Sequence, residues 1–149
     1  MLTQPELLQA LGDAGKLLLA TALGALVGLE RQLEARPAGL RTHMLVALGA
    51  ALLTIVSMSL SVTQPGYDPS RIAAGIVTGI GFLGAGTIIR ERDGNGIRGL
   101  TTAASVWVVS AVGIAVGSGG ALTLLGIVVA VLTWAILRSK YLLEPDRQR

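Results

Sequence analysis

Cysteine is absent from the chain, and histidine occurs once, as His43. Without cysteine, disulfides, thiolate metal sites and cysteine nucleophiles are excluded. The sequence also has no nucleophile–base–acid set and no cluster of His, Asp and Glu with metal-ligand spacing. The glycine pair Gly94 and Gly96 lacks the lysine and the flanking strand of a phosphate-binding loop. These absences predict a protein that is not an enzyme and that carries no metal or cofactor.

Charged and aromatic residues are also scarce, at 14% and 3% of the chain. The net charge of +3 could suggest a nucleic-acid partner. However, the basic residues cluster between apolar runs, with little aromatic surface interleaved among them, so nucleic-acid binding is not expected. Hydrophobic residues make up 52% of the chain, more than is usual for a soluble domain.

Five apolar runs separated by polar connections predict an all-α integral membrane fold of about five transmembrane helices in a single domain, 1–149. The predicted spans are residues 14–30, 44–63, 72–89, 100–116 and 121–137. The first run is expected to be a retained helix rather than a signal peptide, because Glu6 and Asp13 precede it and no small-residue cleavage site follows. The segment Gly117 to Gly120 predicts a tight turn between the last two spans.

The positions of the arginines and lysines predict the orientation. They fall mainly in the connection between spans one and two, the connection between spans three and four, and the tail. Five helices put these three segments on one side, whereas four would divide them. Since basic loops stay in the cytoplasm, the prediction is an N-out, C-in membrane protein.

Parts of the sequence repeat at an offset of 60 residues. The matches include Leu23-Gly24-Ala25 with Leu83-Gly84-Ala85, and Gly39-Leu40 with Gly99-Leu100. They favour a helical hairpin used twice, with its polar turn in the cytoplasm. Such parallel repeats occur in transporters, and they also arise by duplication without transport.

Glycine is concentrated in the third span, with Gly79, Gly81, Gly84 and Gly86 close together. Small residues let helices approach closely in lipid, so helix packing is the first interpretation. The alternative is an unwound stretch whose free carbonyl groups line a cavity and bind a cation.

A polar cluster is expected where the basic connections meet the helices. Its members are Glu30, Arg31, Arg41, Thr42, His43, Arg98, Thr101 and Thr102. Arginines at a helix N-terminus oppose its dipole, so they are predicted to pair with Glu30 or Glu91, or an anion is predicted to sit there. Of these pairs, Glu30 with Arg98 or Arg41 is the one expected. Thr101 or Thr102 would cap the fourth helix or face a polar cavity, with capping favoured. His43 is expected to be an interfacial hydrogen-bonding residue rather than a ligand or a proton relay.

The sequence contains four blocks that are similar to motifs of the MgtC/SapB family of bacterial membrane proteins. They are residues 28–32, 38–43, 79–86 and 97–104. The resemblance covers nearly the whole chain and implies the topology given above. It also implies a link to magnesium-limited growth. For virulence-associated members, it implies survival inside phagocytes and action on other membrane machines, including the proton-driven ATP synthase, rather than established magnesium transport.

Those members carry a soluble C-terminal domain, whereas only about a dozen residues follow Leu137 here. The chain therefore resembles a short, membrane-only form or a piece of a longer member, and the resemblance implies a location in the bacterial inner membrane. The leading hypothesis is a membrane regulatory or accessory protein in ion homeostasis that contacts itself, with a dimer favoured, or another membrane complex. No acid lies mid-span, which argues against proton-coupled transport. The alternatives are a small-ion transporter or channel built around the glycine-rich helix, and an anion or lipid head-group site at Arg41 and Arg98.

Overall fold

A computed structural model describes residues 3–90 and 96–139 of the chain. Within these ranges it has five helices and one short strand pair, in this order: α1 Gln4–Leu33, α2 Leu40–Thr63, α3 Ser70–Gly86, β1 Ile89–Arg90, β2 Ile97–Arg98, α4 Leu100–Ser118 and α5 Ala121–Arg138. The five predicted helices are confirmed. Four of them, α1, α2, α4 and α5, are long and apolar enough to cross a membrane, while α3 has 17 residues.

The first helix begins at Gln4, ten residues before the predicted span. Asp13 does not interrupt it, because Lys16 lies one turn away and donates to its carboxylate at 2.9 Å. Upstream, the backbone N–H of Thr3 donates to Glu6 at 2.7 Å, which satisfies a polar group where the helix starts. Local pairing therefore lets α1 continue through a segment where charge predicted a boundary.

Helix α2 lies between α1 and α4, and glycines set the closeness of both contacts. A Cβ atom added to Gly24 of α1 would lie 2.6 Å from the carbonyl oxygen of His43 in α2. A Cβ added to Gly113 or Gly117 of α4 would lie 2.4 or 2.6 Å from a backbone oxygen of the same helix. Such distances leave no room for a methyl group, so these glycines allow the helix backbones to approach closely.

Two cavities show which helix ends lie together. One is lined by Arg31 of α1, Arg98 before α4 and Leu137 of α5. The other, at the opposite end, is lined by Lys16, Thr63 and Ser118. We call the first the basic end of the bundle. It carries Arg31, Arg36, Arg41, Arg90, Arg98 and Arg138, so the predicted grouping is confirmed for the described residues. The remaining basic residues of these segments, Arg92, Lys140, Arg147 and Arg149, lie outside the described residues, as do Gly94 and Asn95.

The connections differ from one another. After α3, the predicted span to residue 89 is too long. The helix ends at Gly86, and an antiparallel strand pair that the sequence pattern did not predict follows, with Ile89 opposite Arg98. Between α4 and α5, Gly119 and Gly120 adopt φ angles of 78° and 59°. These left-handed conformations suit glycine, and they confirm the predicted tight turn.

Candidate functional site

A buried ion pair lies near the C-terminal end of α1. Arg31 donates through Nε to one carboxylate oxygen of Glu30 and through Nη2 to the other, the latter at 2.6 Å. Glu30 is only 7% exposed and Arg31 only 4%. The two-point contact neutralises both charges and lowers the cost of burying them. The prediction that Glu30 pairs with Arg41 or Arg98 is wrong, because its immediate neighbour shares the inward side of the helix.

His43 is fully enclosed and links α2 to α4. Its Nδ1 lies 2.9 Å from the carbonyl oxygen of Gly39, so Nδ1 must carry a proton. Its Nε2 lies 3.0 Å from Oγ of Ser105, and that hydroxyl lies 2.8 Å from the carbonyl oxygen of Thr102. When Nε2 is unprotonated, the Ser105 hydroxyl donates to it. When Nε2 is protonated, the hydroxyl accepts from it and donates to Thr102 instead.

The first turn of α2 is held against α1 by Gly28. A Cβ atom there would lie 2.8 Å from Cβ of His43 and 2.9 Å from Cα of Leu40. The small residue therefore allows His43 to sit inside the bundle. The hydrogen-bonding role predicted for His43 is confirmed, and the structure adds that the side chain is buried inside the bundle, in the first turn of α2.

Ser105 is a functional candidate that the sequence analysis missed. It is buried and lies 62 residues from His43 in the chain. A single serine within an apolar helix has no distinguishing sequence signal. Its position three residues after Thr102 shows only that both side chains lie on one face of α4.

A cavity of about 720 Å³ opens beside this cluster, between the end of α1, the start of α4 and the end of α5. We call it the basic cavity. Its lining consists of Arg31, Arg36, Ile97, Arg98, Gly99, Leu100, Thr101, Thr102, Ile136 and Leu137. The favoured capping role of the threonines is wrong, because Gly99 is the N-cap and no side chain caps the helix. Thr101 and Thr102 instead line a polar cavity, which was the other expectation.

The predicted polar cluster is thus divided. Glu30, Arg31, His43 and Thr102 are buried together at the basic end, and Arg98 and Thr101 lie at the cavity beside them. Arg41 and Thr42 are exposed on the first turn of α2 and do not line the basic cavity. The buried and the exposed members are close together in the sequence. The rotation of each helix decides which side chains point into the bundle and which are exposed.

On the other side of the ion pair lies a second cavity, of about 760 Å³, between α1 and α5. Glu30 lines this cavity, whereas Arg31 lines the basic cavity. Most of its lining is apolar, and the Arg138 guanidinium lies 5.3 Å from the ring centre of Trp134. The ion pair therefore stands between a basic cavity and a largely apolar one.

The glycine-rich helix is continuous. α3 is helical through Gly79, Gly81 and Gly84 and ends at Gly86, so the unwound stretch is not part of this structure. Gly84 is in van der Waals contact with Ala103 of α4, at 3.7 Å. A Cβ atom at Gly79, Gly81 or Gly86 would meet nothing within 4 Å. Of these four glycines, only Gly84 packs against another helix within residues 3–90 and 96–139.

The model of the MgtC family matches residues 17–145. The chain belongs to the MgtC family. Within residues 3–90 and 96–139, this member has no group of three His, Cys, Asp or Glu residues that could hold a metal ion.

Curated relatives extend the match. YhiD of Escherichia coli strain K12, provisionally named a magnesium transporter, is 50% identical over 126 residues, which cover 81% of this chain and 56% of YhiD. Protein MgtC of Salmonella typhimurium strain LT2 is 54% identical over 103 residues, covering 69% of this chain and 42% of that protein. Protein SapB of Bacillus subtilis is 36% identical over 154 residues, covering 96% of this chain and 62% of SapB.

This MgtC family chain thus spans less than two thirds of the length of each of these relatives. No solved structure matches it. Family membership and four apolar helices long enough to cross a bilayer make it a multi-pass bacterial membrane protein.

Proposed function

We propose that this chain is a regulatory or accessory protein of magnesium-linked ion homeostasis in the bacterial inner membrane, and that it is not an enzyme. It acts through helix contacts with a second copy of itself or with another membrane complex. The name of its relative YhiD supports the magnesium link. Because basic loops stay in the cytoplasm, the basic end faces inward, in an N-out, C-in orientation.

This proposal rests on one side of α3, which we call the open face and which consists of Gly75, Gly79, Phe82 and Gly86. These four residues lie within about 60° of each other around the helix, at 3.6 residues per turn. A Cβ atom at any of the three glycines would meet nothing within 4 Å, and Phe82 is 82% exposed. In α1 and α4, the equivalent small-residue spacing is filled by α2. Since lipid gives helices no hydrophobic reason to associate, a flat small-residue face favours contact with another helix.

The interior supports an accessory role over a conducting one. Every fully enclosed side-chain nitrogen and oxygen among the described residues has a hydrogen-bond partner. The buried charges Glu30 and Arg31 pair with each other. Polar groups that are already satisfied have little affinity left for an ion that passes between them.

The two hairpins, α1–α2 and α3–α4, also support a duplicated unit. α2 begins at Leu40 and α4 at Leu100, each after a glycine. Gly24 lies against His43, and 60 residues later Gly84 lies against Ala103. We interpret these equivalent contacts as a parallel repeat of one helical hairpin.

Cysteine crosslinking in native membranes tests the self-contact directly, because the chain has no cysteine of its own. Gly79→Cys lies on the open face, and Gly81→Cys lies at nearly the same depth on a different side of α3. We expect oxidation to give a dimer with Gly79→Cys and little with Gly81→Cys. A chain that stays monomeric with both variants, and that co-purifies with no membrane partner in mild detergent, would contradict the proposal.

The alternative is a small-ion transporter or channel built around α3. The provisional name of YhiD favours it, as does the position of α3, which packs mainly on α4. Proteoliposomes loaded with a magnesium-sensitive dye separate the two functions. Mg²⁺ entry that disappears in Gly81→Leu, a change into open space, would support transport. The accessory role predicts no entry with either protein.

A further inference from the structure

The basic cavity has a composition suited to an anion. Three guanidinium groups line it, from Arg31, Arg36 and Arg98, and the described residues that line it include no carboxylate. Its volume of about 720 Å³ accommodates a phosphate group together with the group that carries it. Arginine presents forked N–H donors that match the oxygens of a phosphate.

The start of α4 adds donors to the same space. The first hydrogen bond of the helix joins the N–H of Ala103 to the carbonyl oxygen of Gly99 at 2.8 Å. The N–H groups of Leu100, Thr101 and Thr102 precede it and have no acceptor within the helix. No side chain caps this end, and its first turn has no acidic residue. The positive end of the helix dipole is therefore directed at the cavity.

An independent observation is the Thr102 hydroxyl. Thr102 is only 2% exposed, yet its hydroxyl makes no hydrogen bond to the described part of the chain. Thr102 is one of the residues that line the basic cavity, so its hydroxyl lies at the edge of that space. A hydroxyl buried at such a position is available as a donor to a bound group.

The buried guanidinium is also only partly used. Glu30 accepts from Nε and Nη2 of Arg31, two of the five N–H groups of the side chain. Arg36 lies 3.3 Å from Glu34, and its side chain is 39% exposed. Both arginines can therefore keep their carboxylate partners while other N–H groups bind an anion.

From these contacts, we propose that the basic cavity binds a phosphate group, carried either by an anionic lipid head group or by a small soluble anion. Arg98, Arg31 and the N-terminus of α4 hold the phosphate oxygens, and Thr102 donates from the buried side. Leu100, Ile136 and Leu137 line the same cavity and provide an apolar wall for the carrier. The site lies at Arg98 but not at Arg41, which separates it from the anion site expected from the sequence.

Native mass spectrometry of the full chain in detergent tests this, with dioleoyl phosphatidylglycerol titrated as the probe. Arg98→Gln removes a cavity cation, and Thr102→Val removes the hydroxyl at nearly constant volume. Arg41→Gln is the matched control, since it removes the same charge from an exposed arginine at the same end of the bundle. We expect affinity to fall about tenfold in Arg98→Gln, as for a lost charge-assisted hydrogen bond, and several-fold in Thr102→Val. Arg41→Gln should keep the wild-type affinity.

Competition with inorganic phosphate identifies the carrier. Displacement of the lipid by millimolar phosphate, or phosphate binding alone that Arg98→Gln weakens, assigns the site to a soluble anion. Lipid binding that phosphate does not displace assigns it to a head group. The proposal is overturned if neither probe binds, if Arg41→Gln weakens binding as much as Arg98→Gln, or if both Arg98→Gln and Thr102→Val retain the wild-type affinity.

Discussion

The first hairpin, α1–α2, and the second, α3–α4, share sequence matches at an offset of 60 residues but pack very differently. In the first, Gly24 lies so close to His43 that a Cβ atom would be 2.6 Å from a backbone oxygen. In the second, the nearest atom to a Cβ at Gly84 is 3.7 Å away, on Ala103. The first hairpin also encloses a charged pair and a histidine, whereas the position equivalent to Glu30 in the second is the exposed Arg90.

This difference shows that glycines at helical spacing do not by themselves specify which helix packs against them. Gly24 and Gly28 of the first hairpin lie against a neighbouring helix of the same chain, whereas a Cβ atom at Gly79, Gly81 or Gly86 of α3 would have no described atom within 4 Å. The same residue type therefore allows a close helix contact in the first hairpin and borders open space in the second.

The largest expected effect comes from breaking the ion pair of the first hairpin. Glu30→Gln leaves the buried guanidinium of Arg31 without its counter-charge, so we expect a loss of about 3–5 kcal/mol in the free energy of unfolding. The equivalent change in the second hairpin, Arg90→Gln, removes an exposed charge and should alter stability by less than about 0.5 kcal/mol. Unfolding in mixed micelles, followed by circular dichroism, measures both. Equal losses of stability in the two variants would show that both positions contribute equally to the core.

A smaller effect is expected from filling the helix contacts. Gly24→Ala forces a methyl group against backbone atoms of α2 and should destabilise the protein by roughly 2–3 kcal/mol. Gly84→Ala places its methyl group at an ordinary contact distance, and alanine favours the helix by up to about 1 kcal/mol, so the variant should be neutral or more stable. The same unfolding assay distinguishes them. A large loss in Gly84→Ala would mean that α3 packs on α4 more tightly than 3.7 Å implies.

The contact that joins the two hairpins is testable with two serines of α4. Ser105 and Ser110 are both buried, and the hydroxyl oxygen of each lies near a carbonyl oxygen three residues earlier, at 2.8 and 3.0 Å. Only Ser105 also meets His43. Ser105→Ala should therefore lose about 1–2 kcal/mol of stability, because it leaves Nε2 of an enclosed histidine without a partner. Ser110→Ala should lose less, and the reverse order would contradict the role of His43 as a link between α2 and α4.

The smallest effect concerns the connection between the hairpins. The pKa of the exposed Asp68 is lowered from 3.8, because Ser70 at the start of α3 donates hydrogen bonds to its carboxylate. A lowered pKa in the folded state stabilises the fold above pH 3.8, and this contribution is lost as the pH falls through the folded value. Asp68→Asn should remove this dependence. Wild-type and variant melting temperatures, compared between pH 6 and pH 3, should differ only slightly and converge at the acidic end.

The helices and the grouping of the arginines follow from the sequence because both depend on local patterns. An apolar run of about 20 residues is helical in lipid wherever it occurs, and an arginine-bearing connection stays at one end of a bundle whatever the helices do inside. Hence α2 and α4 and the turn at Gly119 and Gly120 could be predicted. The start of α1 was missed, because a carboxylate was weighed without its partner Lys16 one turn away.

Local sequence patterns describe one helix at a time and do not show which helices pack together. Sequence determined that Glu30, Arg31, His43, Arg98 and the two threonines would gather at the basic end. Tertiary structure alone decided that Glu30 binds Arg31, that His43 meets a serine 62 residues away, and that Thr102 turns to a cavity instead of capping its helix. These outcomes depend on how each helix is rotated and which helix packs beside it, and side-chain volumes across the whole bundle fix both.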